Sequence, residues 1–322
     1  MRAAQITDVS GPAAIGVAEL TNPQVGPDQL LVEVHAAGVN FPDFLMSRGE
    51  YQVKPPLPFV PGSEVAGIVA SAPEGSQFGI GDRIAAFTML NGIAERAAVL
   101  PEFAVALPNE LTFAQGAALP MNYLTMEFAL KRRGAVQPGE TVLIHGAAGG
   151  IGTAGIQIAK ALGARVIAVA STPDKREVAL AAGADEAIEV DGFLGASKEL
   201  TGGRGVDVVV DPVGGDRFTD SLRSLAPEGR LLVVGFTGGE IPTVKVNRLL
   251  LNNIDVRGVG WGAFAFARPG FIAEQWRSIT ELMRTGAINP PVGHEYPLDE
   301  VGTAVADLGE RRATGKIVIR LR

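Results

Sequence analysis

The stretch LIHGAAGGIGTAGIQIAKALGARVIAVASTPDKRE, from Leu143 to Glu177, decides the fold of this chain. An apolar strand leads through glycines into a helical run, and a second apolar strand follows. In that setting Gly149 lets the backbone approach a pyrophosphate, and Gly152 lets the helix pack closely on the sheet. The helix N-terminus adds unpaired N–H groups and partial positive charge. The stretch therefore predicts a βαβ dinucleotide-binding unit, although Ala147 replaces the first glycine of the usual fingerprint.

The residues after the second strand indicate which dinucleotide is bound. NAD-type sites place a carboxylate here to accept from the ribose 2′-OH. This chain has Ser171 and Thr172 instead, with Lys175 and Arg176 one turn further on and Asp174 as a contrary charge. Hydroxyl donors and positive charge suit a 2′-phosphate, so the pattern predicts NADPH. The alternative interpretation is that the two basic residues only form the solvated start of a helix.

The chain around this stretch has a regular organisation. An alternating segment, Gln29–Val39, and several short apolar runs make the first third β-rich. A change of texture near Thr112, a predicted helix cap, introduces alternating strands and helices. Six strands with helical crossovers predict a doubly wound parallel sheet. These strands are expected at Thr141–His145, Arg165–Ala170, Ala187–Val190, Val206–Asp211, Arg230–Gly235 and Ile254–Gly260. A helix at about Asp299–Leu308 precedes a final strand, GKIVIRL, which we expect to return to the first domain.

Composition limits the classes of function. A chain of 322 residues suits two domains. The net charge of -7 argues against nucleic-acid binding. There is no cysteine, which excludes disulfides and thiolate metal sites. No apolar run approaches the length of a membrane-spanning helix, and the N-terminus lacks a secretory signal, so we expect a cytoplasmic protein without a membrane partner.

Several motifs together resemble those of the medium-chain dehydrogenases/reductases, and within them the zinc-free quinone oxidoreductases of the zeta-crystallin-like branch. The motifs are AAGVNFPDFLMSRGEYQ (Ala36–Gln52), PFVPGSEVAGIV (Pro58–Val69), GDRI, GAAGGIG, VDVVVDPVGG (Val206–Gly215) and RATGKIVI (Arg312–Ile319). The similarity runs over nearly the full length. It implies an α/β protein with a GroES-like β-barrel catalytic domain, residues 1–118 and 265–322, and a Rossmann domain with a six-stranded parallel sheet, residues 119–264.

The resemblance also implies that the chain holds no metal. Zinc-dependent relatives bind catalytic zinc through an early cysteine and the histidine of a GHE segment. The matching stretches here read GVNFPD, around Asn40, and PGSE, where Ser63 replaces the histidine. His35, His145 and His294 are the only histidines, so no tetrahedral site can be assembled. His145 is expected to be a core residue.

By resemblance, Asn40 and Tyr51 are the catalytic candidates. Asn40 would anchor the nicotinamide or a substrate oxygen, and Tyr51 would donate to an oxyanion or relay a proton. The expected cofactor-binding residues are Asn40, Asp43, Thr125, Gly149, Gly150, Ile151, Ser171, Lys175, Gly235, Phe236, Val259, Trp261 and Arg312.

Five of these residues also have a structural interpretation. Asn40 could satisfy backbone groups of its loop, and Tyr51 could be a half-buried aromatic residue with its hydroxyl in solvent. Asp43 could cap the helix that starts near Phe44. Trp261 could pack in the core, and Arg312 could form a surface salt bridge.

The reactions that remain without a Lewis acid are those in which hydride addition gives a stabilised anion. A quinone or an α,β-unsaturated carbonyl meets that condition, and the protein then supplies position and donors for the oxyanion. We therefore expect an NADPH-dependent quinone oxidoreductase. The alternatives are an enone or enoyl-thioester reductase and a non-enzymatic NADPH-binding protein of the crystallin kind. The resemblance also implies a homodimer formed through the edge of the Rossmann sheet near Thr243–Gly260.

Overall fold

The computed structural model describes residues 1–322. The chain divides into two compact units. The terminal unit consists of Met1–Met121, Ile272–Trp276 and Asn289–Arg322, and the central unit consists of Asn122–Phe271 and Arg277–Ile288. Residues 119–121, 265–271 and 277–288 lie in a different unit from the domain to which the sequence assigned them. The predicted domain bounds stay a prediction.

Fifteen strands and eleven helices make up the chain. The strands are β1 (Arg2–Ile6), β2 (Ile15–Glu19), β3 (Leu30–Gly38), β4 (Glu64–Ser71), β5 (Arg83–Phe87), β6 (Arg96–Val99), β7 (Ala104–Ala106), β8 (Thr141–His145), β9 (Arg165–Val169), β10 (Glu186–Ile188), β11 (Val206–Asp211), β12 (Leu225–Val233), β13 (Asp255–Gly258), β14 (Val292–Pro297) and β15 (Lys316–Arg320). The helices are α1 (Phe41–Ser47), α2 (Phe113–Gly116), α3 (Pro120–Glu127), α4 (Gly150–Ala161), α5 (Pro173–Ala181), α6 (Phe193–Leu200), α7 (Phe218–Ser224), α8 (Asn247–Asn252), α9 (Trp261–Ala265), α10 (Phe271–Arg284) and α11 (Val301–Gly309). A π-helical stretch, Phe128–Arg133, continues α3.

The terminal unit is built on two sheets. One pairs β1 with β2, and the other has the order β14-β15-β3-β4-β5-β7, with β6 paired to β3. From Leu30 to Ala36 alternate residues of β3 are buried, as the alternating pattern predicted, because one face of the strand packs on the core, and the last residues of β3, Ala36–Gly38, are all buried. That core includes apolar side chains from β3, β15 and α11. Burial of each large aliphatic side chain stabilises the fold by about 1.5–3 kcal/mol.

The last strand, β15, belongs to the terminal unit. It pairs in antiparallel fashion with β3, Val318 opposite Gly38, and in parallel fashion with β14. This placement confirms the expectation that the GKIVIRL segment returns to the first domain. The preceding helix, α11, starts at Val301, close to its predicted position.

The central unit holds a six-stranded sheet in the order β10-β9-β8-β11-β12-β13. Every neighbouring pair is parallel. This is the doubly wound arrangement, whose winding reverses between β8 and β11, so the predicted sheet is confirmed. In such sheets the ligand crevice lies beyond the carboxyl ends of the strands, where β8 runs into α4. None of the eleven helices is both long enough and apolar enough to cross a membrane.

Candidate functional site

The turn between β8 and α4 has the features of a pyrophosphate cradle. Gly146 has a φ of 59°, a conformation that favours glycine. Helix α4 begins after Gly149. Because glycine has no side chain to cap the helix, the first N–H groups of α4 have no acceptor within it. A Cβ atom on Gly152 would lie well under 3.0 Å from the backbone of Gly146 and Ala147. The cradle therefore fits a pyrophosphate held by the N–H groups at Gly150 and Ile151.

The residues predicted for the 2′-phosphate lie together after β9. Ser171 is exposed, and Thr172 caps α5 by accepting from the backbone N–H of Lys175 at 3.3 Å. Arg176 forms an ion pair with Glu189 at 3.0 Å. Arg176 therefore has a carboxylate partner in this structure, and the assignment of Ser171 and Lys175 to the phosphate stays a prediction.

The candidates for the nicotinamide end of the central unit follow neighbouring parallel strands. Gly235 and Phe236 come after β12, and Val259 and Trp261 come after β13. Backbone pairing continues beyond the strands, since the N–H of Val259 donates to the carbonyl of Val233 at 2.9 Å. Trp261 is buried, with its ring 5.9 Å from that of Phe266. Trp261 therefore packs as a core residue, which is the structural interpretation given for it above.

Helix α3 contributes one predicted residue and one that sequence reasoning missed. Thr125 is buried in this helix, as is Asn122, one turn earlier. A Cβ atom on Gly150 would lie 2.5 Å from the Asn122 Nδ2 atom. Asn122 therefore packs directly against the first turn of α4. Its signal in the sequence is weak, because NYLT is an ordinary helical segment.

In the terminal unit, Asn40 stands at the centre of a buried polar cluster. Its Nδ2 donates to Glu64 Oε1 at 2.7 Å and to Ser63 Oγ at 3.2 Å. Its Oδ1 accepts from Lys316 Nζ at 2.7 Å. Lys316 also forms an ion pair with Glu64 Oε1. The two stretches that match the zinc-ligand segments of the relatives are thus hydrogen-bonded to each other through Asn40 and Ser63.

Both carboxylate oxygens of Glu64 have partners in the protein. The carboxylate is fully buried, and its Oε2 accepts from the backbone N–H of Met121 at 2.8 Å. A Cβ atom on Gly38 would overlap Glu64 Oε1, so a glycine is needed on β3 where the carboxylate passes. Sequence reasoning missed Glu64 and Lys316. The available signal was a charged residue at the start of each of two apolar strands, EVAGIV and KIVI.

Asp43 lies beside this cluster and stabilises the start of α1. Its Oδ2 accepts from the N–H of Asn40 at 2.8 Å, and its Oδ1 accepts from the N–H of Gly62 at 3.0 Å. The helix begins at Phe41 rather than near Phe44, with Asp43 as the third helical residue of a capping box. Complete burial raises the pKa of the Asp43 carboxyl to about 6, against two backbone donors that lower it.

The raised pKa of Asp43 predicts a specific pH dependence of stability. Because the pKa is higher in the folded chain than in the unfolded one, the contribution of this group is greatest below pH 3.8 and is lost as the pH rises through about 6. Urea unfolding of the wild type and of Asp43→Asn between pH 4 and 8 should show a difference that changes over this window. A difference in the free energy of unfolding that stays constant from pH 4 to 8 would contradict the raised pKa of Asp43.

Tyr51 and Arg312, the two other predicted residues of the terminal unit, lie outside this buried polar cluster. Tyr51 is half-buried, and both its burial and the negative charge of Asp43 raise the pKa of its phenol. Arg312 lies at the surface, where its Nε donates to Asp307 at 2.7 Å and its guanidinium pairs with Glu310. The surface salt bridge that was one interpretation of Arg312 is therefore present.

His145 is buried at the end of β8, as predicted. Its Nε2 lies 2.8 Å from Ser221 Oγ, and its ring packs edge-on against Phe193. Burial lowers the pKa of His145 to about 3, so the imidazole is neutral at pH 7. No group of three or more His, Asp or Glu side chains is arranged to hold a metal ion.

Two family models match the chain. The alcohol dehydrogenase GroES-like domain matches residues 26–105, and the zinc-binding dehydrogenase family matches residues 150–283. The second name refers to zinc, whereas this chain has no cysteine and has Ser63 in the segment that matches the zinc-binding GHE.

Relatives of known sequence match over the whole chain. Rat quinone oxidoreductase-like protein 2 is 37% identical over 325 residues, which cover 100% of this chain and 92% of the relative. Human quinone oxidoreductase is 32% identical over 329 residues, covering 100% of this chain and 98% of the relative.

Solved structures share the fold. A probable oxidoreductase from Mycobacterium abscessus superposes with a TM-score of 0.91 at 46% identity, covering 100% of this chain and 99% of that one. The Escherichia coli quinone oxidoreductase complexed with NADPH gives 0.90 at 29% identity, covering both chains completely. The CurK enoyl reductase gives 0.89 at 25% identity, covering 100% of this chain and 99% of that one. The chain belongs to the quinone oxidoreductase branch of the medium-chain dehydrogenase/reductase superfamily.

Proposed function

We propose that this chain is an NADPH-dependent oxidoreductase that reduces quinones. The observation that carries the proposal is the cradle between β8 and α4, with Ser171 and Lys175 where an NAD-type site would have a carboxylate. The similarity to a quinone oxidoreductase complexed with NADPH supports the same cofactor.

The residues of the central unit fit this cofactor. The N–H groups at Gly150 and Ile151 would hold the pyrophosphate, and Ser171 and Lys175 would hold the 2′-phosphate. Thr125, Gly235, Phe236, Val259 and Trp261 are proposed for the nicotinamide end. When bound, NADPH supplies a hydride.

The residues of the terminal unit are proposed to serve the acceptor. A tyrosine phenol is protonated at neutral pH, and burial and Asp43 raise the pKa of Tyr51 further, so its hydroxyl can donate to a developing oxyanion. Asn40 is held rigidly by three neighbours and offers a fixed polar contact. Arg312 remains a candidate only if it leaves its ion pairs with Asp307 and Glu310.

A second candidate activity is reduction of the carbon–carbon double bond of an enone or enoyl thioester, which the similarity to an enoyl reductase favours. A third is NADPH binding without turnover. Steady-state NADPH oxidation with a 1,4-quinone, an enone, an enoyl thioester and no acceptor separates the three. The proposal requires the highest kcat/KM with the quinone, whereas tight NADPH binding without turnover would support the third.

The cofactor assignment predicts a preference for NADPH over NADH of at least about tenfold, which corresponds to about 1.4 kcal/mol. Lys175→Ala should raise the KM for NADPH about tenfold and leave the KM for NADH nearly unchanged, because only NADPH carries the 2′-phosphate. Lys198→Ala, at the end of α6, is a control for lost charge in the same unit. Equal effects of Lys175→Ala on both cofactors would count against the assignment.

We also propose that the chain forms a homodimer through the edge of the central sheet. Strand β13 pairs only with β12, so the backbone groups on its other edge have no strand partner, although the Gly258 carbonyl accepts from Arg133 Nε at 2.9 Å. Large apolar side chains are exposed nearby, and Leu250 and Leu251 are 75% and 74% exposed. A two-fold pairing of these edges would cover both the backbone groups and the apolar side chains.

The dimer predicts that Leu250→Asp combined with Leu251→Asp gives a monomer, because two buried charges per subunit would oppose association. Sedimentation velocity measures the mass at several concentrations. Ile80→Asp, at an exposed apolar position of the terminal unit, should leave the dimer intact. A wild type that is monomeric at all concentrations, or a double variant that stays dimeric, would refute the proposal.

A further inference from the structure

Three phenylalanine rings form a cluster in the central unit. The ring of Phe264, in α9, lies 4.9 Å from that of Phe128 and 5.1 Å from that of Phe271, measured between ring centroids. Phe128 is buried, whereas Phe264 and Phe271 are only partly buried. The cluster therefore reaches the surface of the unit at Phe264, where charged side chains can lie on it.

Two arginine side chains lie on the ring of Phe264. The guanidinium carbon of Arg268 is 3.6 Å from the ring centroid, and that of Arg132 is 4.7 Å from it. Each contact is a cation–π interaction, which is favourable by itself. Because both cations contact one ring, they also lie close to each other, and their charges repel.

Neither arginine has a carboxylate partner. Arg268 Nη1 donates to the backbone carbonyl of Phe264 at 3.1 Å, and Arg132 has no hydrogen bond or ion pair beyond its contact with the ring. Arg257, on β13, is by contrast paired with Asp255. With 35 acidic residues against 28 basic ones, counter-charges are plentiful in this chain, yet none is placed at this pair. The two guanidiniums therefore keep most of their N–H donors for another acceptor.

Arg132 belongs to an uncommon turn of the helix. The π-helical stretch Phe128–Arg133 continues α3, and the N–H of Gly134 donates to the carbonyl of Ala129 at 2.6 Å, five residues earlier. Such turns are rare in proteins and are frequent at functional sites. One half of the arginine pair is thus carried by a backbone feature that itself indicates a site.

We propose that Arg132 and Arg268 form a binding site for a phosphate group. Two unpaired guanidiniums match the two negative charges of a phosphate dianion, and each presents several donors to its oxygens. Their carbons can be no further apart than their two distances to the shared centroid together allow. A phosphate that accepts from both sides holds guanidinium carbons about 8 Å apart, which is within reach of this limit. The site uses none of the residues proposed for NADPH or the acceptor, so it goes beyond the proposed function.

A simpler explanation is that the arginines only cover an apolar surface. Arginine often lays its side chain over apolar groups while its head stays in water. One arginine would serve that purpose without repulsion, as would a cation with its own carboxylate, such as Lys131 with Glu127. Covering the cluster therefore does not explain why two unpaired cations share one ring.

An NMR titration of the full chain tests the site. Correlation spectra of ¹H and ¹⁵N are recorded at about pH 7.5, where phosphates carry close to two charges, and at constant ionic strength. The probes are inorganic phosphate, phenyl phosphate and the monoanion benzoate. We expect saturable shifts of the backbone amides of residues 263–268 with both phosphates, with a dissociation constant of about 1 mM or lower. Benzoate should bind at least about tenfold more weakly, because it carries one charge.

The two phosphates distinguish the possible sources of the ligand. Tighter binding of phenyl phosphate would identify a phosphorylated organic molecule, and tighter binding of inorganic phosphate would identify the free ion. Equal binding of benzoate would overturn the inference, because the site would then not require a dianion. The absence of a saturable shift with either phosphate would overturn it as well.

The double variant Arg132→Gln, Arg268→Gln removes both charges and keeps polar side chains at the ring. It should remain folded, because both arginines are exposed, and it should bind phosphate at least about tenfold more weakly. Arg223→Gln is the matched control, since Arg223 is an exposed arginine of the same unit, paired with Asp220. This control should keep the wild-type affinity. A folded double variant that keeps it too would overturn the inference.

Lys175→Ala separates this site from the one proposed for the 2′-phosphate. The variant should keep both the shifts at residues 263–268 and the dissociation constant for phosphate. Loss of phosphate binding in Lys175→Ala, with normal binding in the arginine double variant, would overturn the inference and leave the proposed function intact. A failure of the proposed function is seen separately, as a wild type that does not bind NADPH.

Discussion

Replacing Lys316 with methionine should lower the free energy of unfolding by about 3–5 kcal/mol, because the variant leaves the buried Glu64 carboxylate without its counter-charge. Lys316 and Glu64 are both buried, so solvent cannot take over the role of the ammonium. Asn40 also loses the donor to its Oδ1. Urea denaturation followed by circular dichroism measures the change.

A double-mutant cycle distinguishes this cause from lost packing. Adding Glu64→Gln to Lys316→Met removes the uncompensated charge and should restore most of the lost stability. Losses that simply add in the double variant would show that the two side chains do not interact. Arg96→Met removes a partly exposed partner of Glu33 and should cost less than about 1 kcal/mol.

Replacing Gly152 with alanine should weaken NADPH binding about 100-fold. The new Cβ atom would overlap the backbone of Gly146 and Ala147, so the turn or the helix must move. Movement of the first turn of α4 loses charge-assisted hydrogen bonds worth about 1.5 kcal/mol each, and the loss of two gives this factor. Fluorescence titration with NADPH measures the dissociation constant.

Gly195→Ala is the matched control for this change. Gly195 lies within α6, and a Cβ atom there would meet nothing within 4 Å. The alanine should leave NADPH binding unchanged and raise stability by about 0.5–1 kcal/mol. Normal NADPH binding by Gly152→Ala would show that the cradle does not depend on close packing of the helix.

The fold could be predicted wherever local pattern and burial agree. β8 and β11 match their predicted bounds because both are fully buried, mainly apolar runs between turn residues. β12 begins at Leu225, five residues before its predicted start. The prediction missed these residues because they contain the sequence Pro-Glu-Gly, which is typical of a turn. The strand accommodates it with Glu228 at a φ of 63° and a register shift against β11.

The candidate site could be predicted in the central unit and only in part in the terminal unit. The glycines of the cradle lie within one short stretch, where each follows from the strand–turn–helix pattern. Asn40 and Lys316 are 276 residues apart, and neither has a local pattern that indicates the other. In addition, Lys316 begins an apolar strand, where a lysine is normally the solvated end of the element. Only the pairing of β15 with β3 brings the two together.

The pairing of β3 with β15 has a consequence for synthesis of the protein. A ribosome adds about 5–20 residues per second, so β3 and Glu64 leave the exit tunnel well before their partners on β15. During that interval the nascent chain exposes a strand edge and a carboxylate that the finished fold buries, while all six strands of the central sheet emerge. We therefore expect this strand edge to be open to association with other chains until β15 has left the exit tunnel.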